Sequence, residues 1–234
     1  MFVNLVFHSI APSSETIESV FAVTTDFFSV LIHSVEDAAL RGLAKFDNFR
    51  IYFDDGYESS LLTITKQAWL NPALCTIGII TDKVGTDGYL NWKQIIELRH
   101  RGVNIASHGT SHAALAIYEG EILKSTPNGG LYQNSPIGRT KALAMEEVRY
   151  QYQESKKILE EKIGAINEFI FPYGLYNKEA IKLNAEQAYY STLSTCDSYL
   201  DQGEMIRPRF IITNDLAPLE TMEKILGIKT ISTP

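Results

Sequence analysis

Cysteine is scarce in this sequence, and its scarcity argues against two kinds of protein. Only Cys75 and Cys196 occur, the first in an apolar run and the second in a polar stretch. Two isolated cysteines indicate reduced thiols rather than a disulfide framework. Since neither belongs to a Cys-x-x-Cys pair, a structural zinc site is not expected either.

Long apolar runs and an excess of positive charge are also missing. No run approaches the roughly 20 apolar residues of a membrane-spanning helix, and the stretch from Met1 to His8 lacks the basic start and long apolar core of a signal peptide. With 28 acidic and 21 basic residues, the chain has no basic stripe for nucleic acid. We therefore expect a cytoplasmic protein with no membrane span and no nucleic-acid partner; oligomeric state leaves no readable signal.

What is present is an alternation of short β-rich runs with helical segments. Strands are predicted at 49–53, 73–80, 103–107, 168–171, 189–193 and about 210–212, and helices at about 59–70, 92–101, 141–163, 178–188 and 219–226. Repeated β-then-α units predict parallel strands joined by crossover helices. Polar groups follow several strands, which favours a barrel mouth over a single crevice.

The expected fold is therefore α/β, a distorted (β/α) barrel. Because 234 residues are few for eight full units, we expect about seven parallel strands in a single domain over 1–234. Residues at about 118–139 contain turn-forming Pro-Asn-Gly-Gly and Ser-Pro-Ile-Gly segments. We expect a loop insertion there, which either walls the site or is a surface insertion without a role.

Two short stretches carry the chemistry. Asp54 and Asp55 follow the predicted strand 49–53, and His108 and His112 follow the strand 103–107 at a spacing of four. Two imidazoles and one carboxylate make a three-ligand catalytic metal site with open positions for water and substrate. The second carboxylate is then spare and can act as a base, so this pattern predicts a metal-dependent hydrolase.

Four ordered motifs resemble those of the polysaccharide deacetylases, the carbohydrate esterase family 4 or NodB-homology group. They are Tyr-Phe-Asp-Asp-Gly-Tyr at 52–57, Gly-Tyr-Leu-Asn-Trp at 88–92, His-Gly-Thr-Ser-His at 108–112 and Phe-Pro-Tyr-Gly at 171–174. The resemblance implies a NodB-type barrel that removes acetyl groups from N-acetylated sugars with a divalent metal. Zn²⁺ is the first choice for two imidazoles and a carboxylate, while Ni²⁺, Co²⁺ and Fe²⁺ suit the same ligands.

The resemblance also implies roles for individual residues. By motif position, Asp55, His108 and His112 are the metal ligands and Asp54 is the general base. The backbone N–H of Tyr173 donates to the oxyanion of the tetrahedral intermediate.

The sequence departs from the family pattern in two places. The usual arginine near Pro-Tyr is absent, because Ile170 and Phe171 occupy that stretch; Arg207 or Arg209 is an alternative cation for Asp54, and we favour Arg209. No histidine follows His112, so the family's C-terminal acid is missing. The segment around His8 instead resembles the N-terminal segment of the poly-N-acetylglucosamine deacetylase branch, and we expect His8 to be the general acid.

Two other functions remain open. A carbohydrate-binding module on the same fold, impaired in catalysis, would explain the two departures. A non-haem iron oxygenase also uses two histidines and a carboxylate, but the chain lacks the close His-x-Asp/Glu pair of those enzymes.

Overall fold

The computed structural model describes most of the chain, and its longest internal gap lies between residues 123 and 145. The described residues are 2–14, 17–115, 118–119, 122–123, 145–174, 176, 178–196, 200–201 and 205–226. The strands are β1 (Phe2–Phe7), β2 (Ser9–Ala11), β3 (Ala22–Thr24), β4 (Asn48–Phe53), β5 (Cys75–Ile79), β6 (Asn104–Ser107), β7 (Tyr118–Glu119), β8 (Ile122–Leu123), β9 (Glu168–Ile170), β10 (Thr192–Ser194), β11 (Leu200–Asp201), β12 (Ile206–Arg207) and β13 (Phe210–Ile211). The helices are α1 (Thr25–Leu40), α2 (Glu58–Lys66), α3 (Trp92–His100), α4 (Met145–Ile163), α5 (Lys178–Gln187) and α6 (Pro218–Leu226), with 3₁₀ turns at Pro72–Leu74, Thr81–Lys83 and Pro172–Gly174.

One sheet of nine strands organises the fold, in the order β11-β1-β4-β5-β6-β9-β10-β12, with β13 also paired to β1. All its pairings are parallel except that of β11 with β1. β12 and β13 are joined by Pro208 and Arg209, so this short segment links the β10 edge of the sheet to β1. The predicted distorted (β/α) barrel is thus confirmed, with eight parallel strands rather than about seven.

Alternating side chains divide the strands into an outer and an inner face. Ile51 and Phe53 of β4 pack outward into the main core with Phe28 of α1, and the Phe28 and Phe53 rings lie 6.0 Å apart. Tyr52 lies on the inner face, in a separate cluster with Ile170. Because successive side chains alternate in a strand, the residue after Phe53, Asp54, also belongs to the inner face.

Most predicted elements agree with the structure to within a few residues. Asn91 begins α3 through a capping box with Gln94, and Gly102, just after this helix, has φ 93°. α4 ends at Ile163, immediately before Gly164, as predicted. The predicted helix start at Lys141 and the loop insertion at 118–139 lie outside the described residues, apart from β7 and β8. Among the described helices, none has both the length and the apolar character needed to cross a membrane.

Candidate metal centre

Three potential metal ligands meet at the mouth of the barrel. Asp55 lies just beyond β4, and His108 directly follows β6, so both are at the carboxyl ends of parallel strands. Asp55 Oδ1 is 3.3 Å from His108 Nε2 and 3.3 Å from His112 Nε2, and the two Nε2 atoms are 3.2 Å apart. The three ligand atoms therefore form a nearly equilateral triangle.

The triangle has the size of one face of a tetrahedral metal site. Zinc binds imidazole nitrogen and carboxylate oxygen at about 2.0–2.1 Å, which separates tetrahedral ligand atoms by about 3.3 Å. Asp55 Oδ1 is buried and makes no hydrogen bond of normal geometry with the described part of the chain. A cation between the three atoms would satisfy that oxygen, so the residues present fit a divalent metal.

The hydrogen bonding of His108 prepares Nε2 for a cation. Nδ1 of His108 is 2.8 Å from the Ile170 carbonyl oxygen. Because a carbonyl only accepts, we assign the proton of the neutral ring to Nδ1, which leaves a lone pair on Nε2. Burial alone would lower the pKa of His108, but the Asp55 hydrogen bond and the charges of Asp54 and Asp55 outweigh it and raise the pKa.

The pKa of His112 shifts in the opposite direction to that of His108. Burial and the neighbouring His108 lower the pKa of His112 to about 4, so this imidazole is neutral at pH 7. For Asp55, burial alone would raise the pKa, but the close approach of His108 at 3.3 Å and the charges that both imidazoles carry when protonated lower it. Asp55 and His112 are therefore in the protonation states that metal ligation requires, whereas a metal must compete with a proton for His108.

Asp54 forms a buried ion pair rather than joining the triangle. Arg209 Nη1 donates to Asp54 Oδ1 at 2.7 Å, and Arg209 Nη2 donates to Oδ2 at 3.0 Å. The two residues are only 3% and 1% exposed. Burial alone would raise the pKa of Asp54, but the attraction and hydrogen bonds of Arg209 outweigh it and lower the pKa. Asp54 is therefore a carboxylate held in a fixed orientation beside the three ligands.

Of the two arginines left open by the sequence, only Arg209 contacts Asp54. Arg207 Nη1 instead donates to Glu168 Oε2 at 3.0 Å and to the Tyr52 hydroxyl at 2.8 Å. The Tyr52 hydroxyl in turn donates to Glu168 Oε1 at 3.0 Å. Arg207 therefore belongs to a polar cluster deeper inside the barrel.

His8 lies at the same mouth. It follows β1, which pairs with β4 so that Phe7 is opposite Phe53, and the Asp54 N–H donates to the Phe7 carbonyl at 2.9 Å. The His8 ring is half-buried beside Phe21, with 5.2 Å between the ring centroids. Its Nδ1 atom is buried without a hydrogen-bond partner among the residues the structure describes.

Unusual backbone conformations concentrate at this mouth. Asp55, His112 and Tyr173 have φ of 71°, 59° and 60°, and Ala188 is the one further non-glycine residue with positive φ in the described ranges. Each such residue costs about 1–2 kcal/mol relative to ordinary backbone. The Tyr173 ring lies 4.3 Å from that of His112, so the segment predicted to hold the oxyanion donor is next to the ligand triangle.

A family model of polysaccharide deacetylases matches residues 45–192, more than half of the chain. The chain belongs to the polysaccharide deacetylase family. The matched region contains Asp54, the three potential ligands and Tyr173, whereas His8 and Arg209 lie outside it. Among curated proteins, none matches the sequence.

Several solved structures share the fold. They include a de-N-acetylase from Aggregatibacter actinomycetemcomitans with a TM-score of 0.70 and 17% identity, over 96% of this chain and 99% of the other. The Streptococcus pyogenes deacetylase PplD, solved in complex with acetate, gives 0.66 and 18% over 96% and 97%. IcaB from Ammonifex degensii gives 0.63 and 18% over 96% and 97%. At these identities, the likeness establishes the fold alone.

Sequence reasoning missed one polar residue that contacts the turn of this family's His-x-x-x-His motif. Gln151 of α4 is buried and hydrogen-bonds the backbone between the two histidines. The available signal was its position on the helix face that also carries Val148, Tyr152 and Leu159. A glutamine on such a face needs buried partners, because an unsatisfied amide is costly there.

Proposed function

We propose that this protein is a metal-dependent hydrolase that removes N-acetyl groups from an N-acetylated sugar or glycan and releases acetate. The observation that carries the proposal is a spare carboxylate. Asp54 is buried beside three potential metal ligands, is not one of them, and is held by a bidentate arginine. A binding module has no need of such a group, whereas a hydrolase needs a base for its water.

Asp55, His108 and His112 would hold the metal. A bound divalent ion would act as a Lewis acid on the acetyl carbonyl oxygen and on the attacking water. Zinc is the first choice because the ligand triangle has the spacing of a tetrahedral site. The donor set also suits nickel, cobalt and iron(II).

The protein's own residues would move the protons. Asp54 takes a proton from the water as its oxygen bonds to the carbonyl carbon, and Arg209 keeps Asp54 oriented for that transfer. The Tyr173 N–H donates to the oxyanion that develops on the former carbonyl oxygen. Protonated His8 then donates its proton to the nitrogen as the carbon–nitrogen bond breaks, which yields acetate and a free amine.

Membership of the polysaccharide deacetylase family supports this reaction class. The de-N-acetylase with the same fold supports an amide rather than an ester as the scissile bond. Acetate, present in the PplD structure, is the product expected of this reaction. One argument for an impaired binding module was the missing arginine near Pro-Tyr. Arg209 weakens that argument, because it pairs with Asp54 in its place.

Acetate release from a panel of N-acetylated sugars and their oligomers tests the proposal. We expect release that a chelator abolishes and added zinc restores. Asp54→Asn should keep one bound metal and lose rate by about 10²- to 10⁴-fold, while Asp37→Asn, which alters an exposed ion pair, should be unaffected. Full activity of Asp54→Asn, or of the metal-free protein, would contradict the proposal.

A further inference from the structure

The turn between the two histidines is conformationally demanding. Gly109 has φ 79° and His112 has φ 59°, and for the histidine this left-handed conformation costs about 1–2 kcal/mol. The turn must nevertheless bring the two imidazole Nε2 atoms 3.2 Å apart. Metal ligation tolerates errors of only about 0.2 Å in ligand position, so contacts outside the turn must stabilise this conformation.

The carbonyl groups of the turn are held by a neighbouring 3₁₀ segment. Thr81 N–H donates to the Gly109 carbonyl at 3.1 Å, and Asp82 N–H donates to the Thr110 carbonyl at 3.0 Å. These backbone bonds are independent of side-chain identity, and they secure only one side of the turn.

Two N–H groups of the turn are held by the side chain of Gln151, whereas the Gly109 N–H donates to Ser107 Oγ at 3.2 Å. Gln151 Oε1 accepts from Thr110 N–H at 2.8 Å and from Ser111 N–H at 3.3 Å. Its Nε2 donates to Ser111 Oγ at 3.0 Å. Gln151 is 6% exposed and Thr110 is fully buried, so water competes little for the Thr110 bond, and its loss would leave a buried donor unsatisfied.

The close approach of this amide depends on Gly109. A Cβ atom built at Gly109 would lie 2.8 Å from Gln151 Oε1, nearer than carbon and oxygen normally approach. The glycine and the glutamine are therefore complementary: one leaves the space that the other fills with hydrogen-bonding atoms.

We infer that Gln151 is a positioning residue for the metal centre, through its hold on the turn that presents His108 and His112. The inference rests on the proposed function, since it assigns a consequence to metal binding. Packing alone does not explain the residue, because an aliphatic side chain would pack on this face without burying an amide. Loss of a residue that orients a metal ligand typically weakens metal affinity by about 10- to 100-fold.

Zinc affinity of the purified, metal-stripped protein tests this inference by competition with a chromophoric chelator. Gln151→Leu keeps the bulk and removes the hydrogen bonds, and it should raise the zinc Kd about 10- to 100-fold. Gln151→Glu keeps acceptor oxygens at the same reach and should recover most of the affinity. Tyr152→Phe, at the next helix position, removes a buried hydroxyl that bonds to the Ala180 carbonyl, and it should bind zinc within about twofold of wild type.

The outcomes distinguish failure of the positioning role of Gln151 from failure of the proposed function. A Gln151→Leu Kd within about twofold of wild type would overturn the positioning role alone. Equal weakening in Tyr152→Phe, or no recovery in Gln151→Glu, would also overturn it, since general loss of packing would then suffice. A wild-type protein that binds no zinc or other divalent metal would overturn the proposed function and this inference together.

Discussion

Replacing Arg209 by methionine should lower the stability of the fold, because Asp54 then remains as a buried carboxylate without its partner. The guanidinium makes two hydrogen bonds to the Asp54 carboxylate in a buried site. Methionine has a similar length and no charge, so the variant leaves a carboxylate buried without compensation. Breaking one side of a buried pair costs about 3–5 kcal/mol of stability, which in a domain of this size lowers Tm by about 6–20 °C.

The sign of the pH dependence follows from the pKa of Asp54. In the wild type, Arg209 outweighs burial and lowers that pKa, so the pair stabilises the fold above the unfolded pKa of about 3.9 and loses its effect as pH falls. In Arg209→Met burial is opposed mainly by the weaker attraction of His108, so the pKa of Asp54 rises relative to the wild type. The ionised carboxylate then destabilises the fold, so the Tm deficit should be largest near pH 7–8 and shrink towards pH 4.

Thermal unfolding with chelator present measures this effect without compensation from a bound cation. The double variant Asp54→Asn/Arg209→Met should melt well above Arg209→Met at pH 7, because neither charge remains. Arg41→Met is the matched control, since its pair with Asp37 is mostly exposed and should contribute little. If the double variant is no more stable than Arg209→Met, the buried-charge reasoning is refuted.

Three further predictions concern the site. His8→Asn should still bind the metal but turn over at least about 100-fold more slowly. The control His33→Asn, on an exposed face of α1, should keep both metal binding and turnover. Unchanged turnover in His8→Asn would remove His8 from the mechanism. Metal binding at pH 6 should release about one proton, because the pKa of His108 is raised while that of His112 is lowered to about 4. Metal affinity should therefore weaken as pH falls through the His108 pKa. Calorimetry in two buffers of different ionisation enthalpy measures the proton release, and finding none would contradict this prediction. Gly109→Ala should lower both Tm and zinc affinity more than Gly85→Ala does. Both glycines have φ near 80°, but of the two only Gly109 would place a Cβ against Gln151 Oε1. Equal losses in the two variants would show that the Gln151 amide does not constrain the turn.

The ligand triangle was predictable because each ligand follows a strand that the sequence marks clearly. The apolar run ending at Phe53 and the run ending at Ser107 are buried strands, and parallel strands bring their carboxyl ends to one edge of a sheet. Asp55, His108 and His112 therefore come together through local patterns alone.

The closing segment of the barrel was less predictable, for a physical reason. β12 and β13 contain two residues each, too few for any periodicity of apolar side chains. The strand at about 210–212 was predicted, but its pairing with β1, at the opposite end of the sequence, was not. The sequence favoured Arg209 over Arg207 without establishing it, because the choice depends on which residue of this segment reaches the mouth.

The topology explains how an arginine from this segment can reach Asp54 although Ile170 and Phe171 occupy the stretch next to Pro-Tyr. In the sheet order, β9 is separated from β4 by β5 and β6. β13, in contrast, pairs with β1, which pairs with β4, so Arg209 approaches Asp54 from the closed side of the barrel. The Ile170 side chain packs in the inner apolar cluster with Tyr52, and its backbone carbonyl accepts a hydrogen bond from His108. A backbone carbonyl is available from any residue type, so the contact that orients His108 does not depend on which side chain stands at position 170.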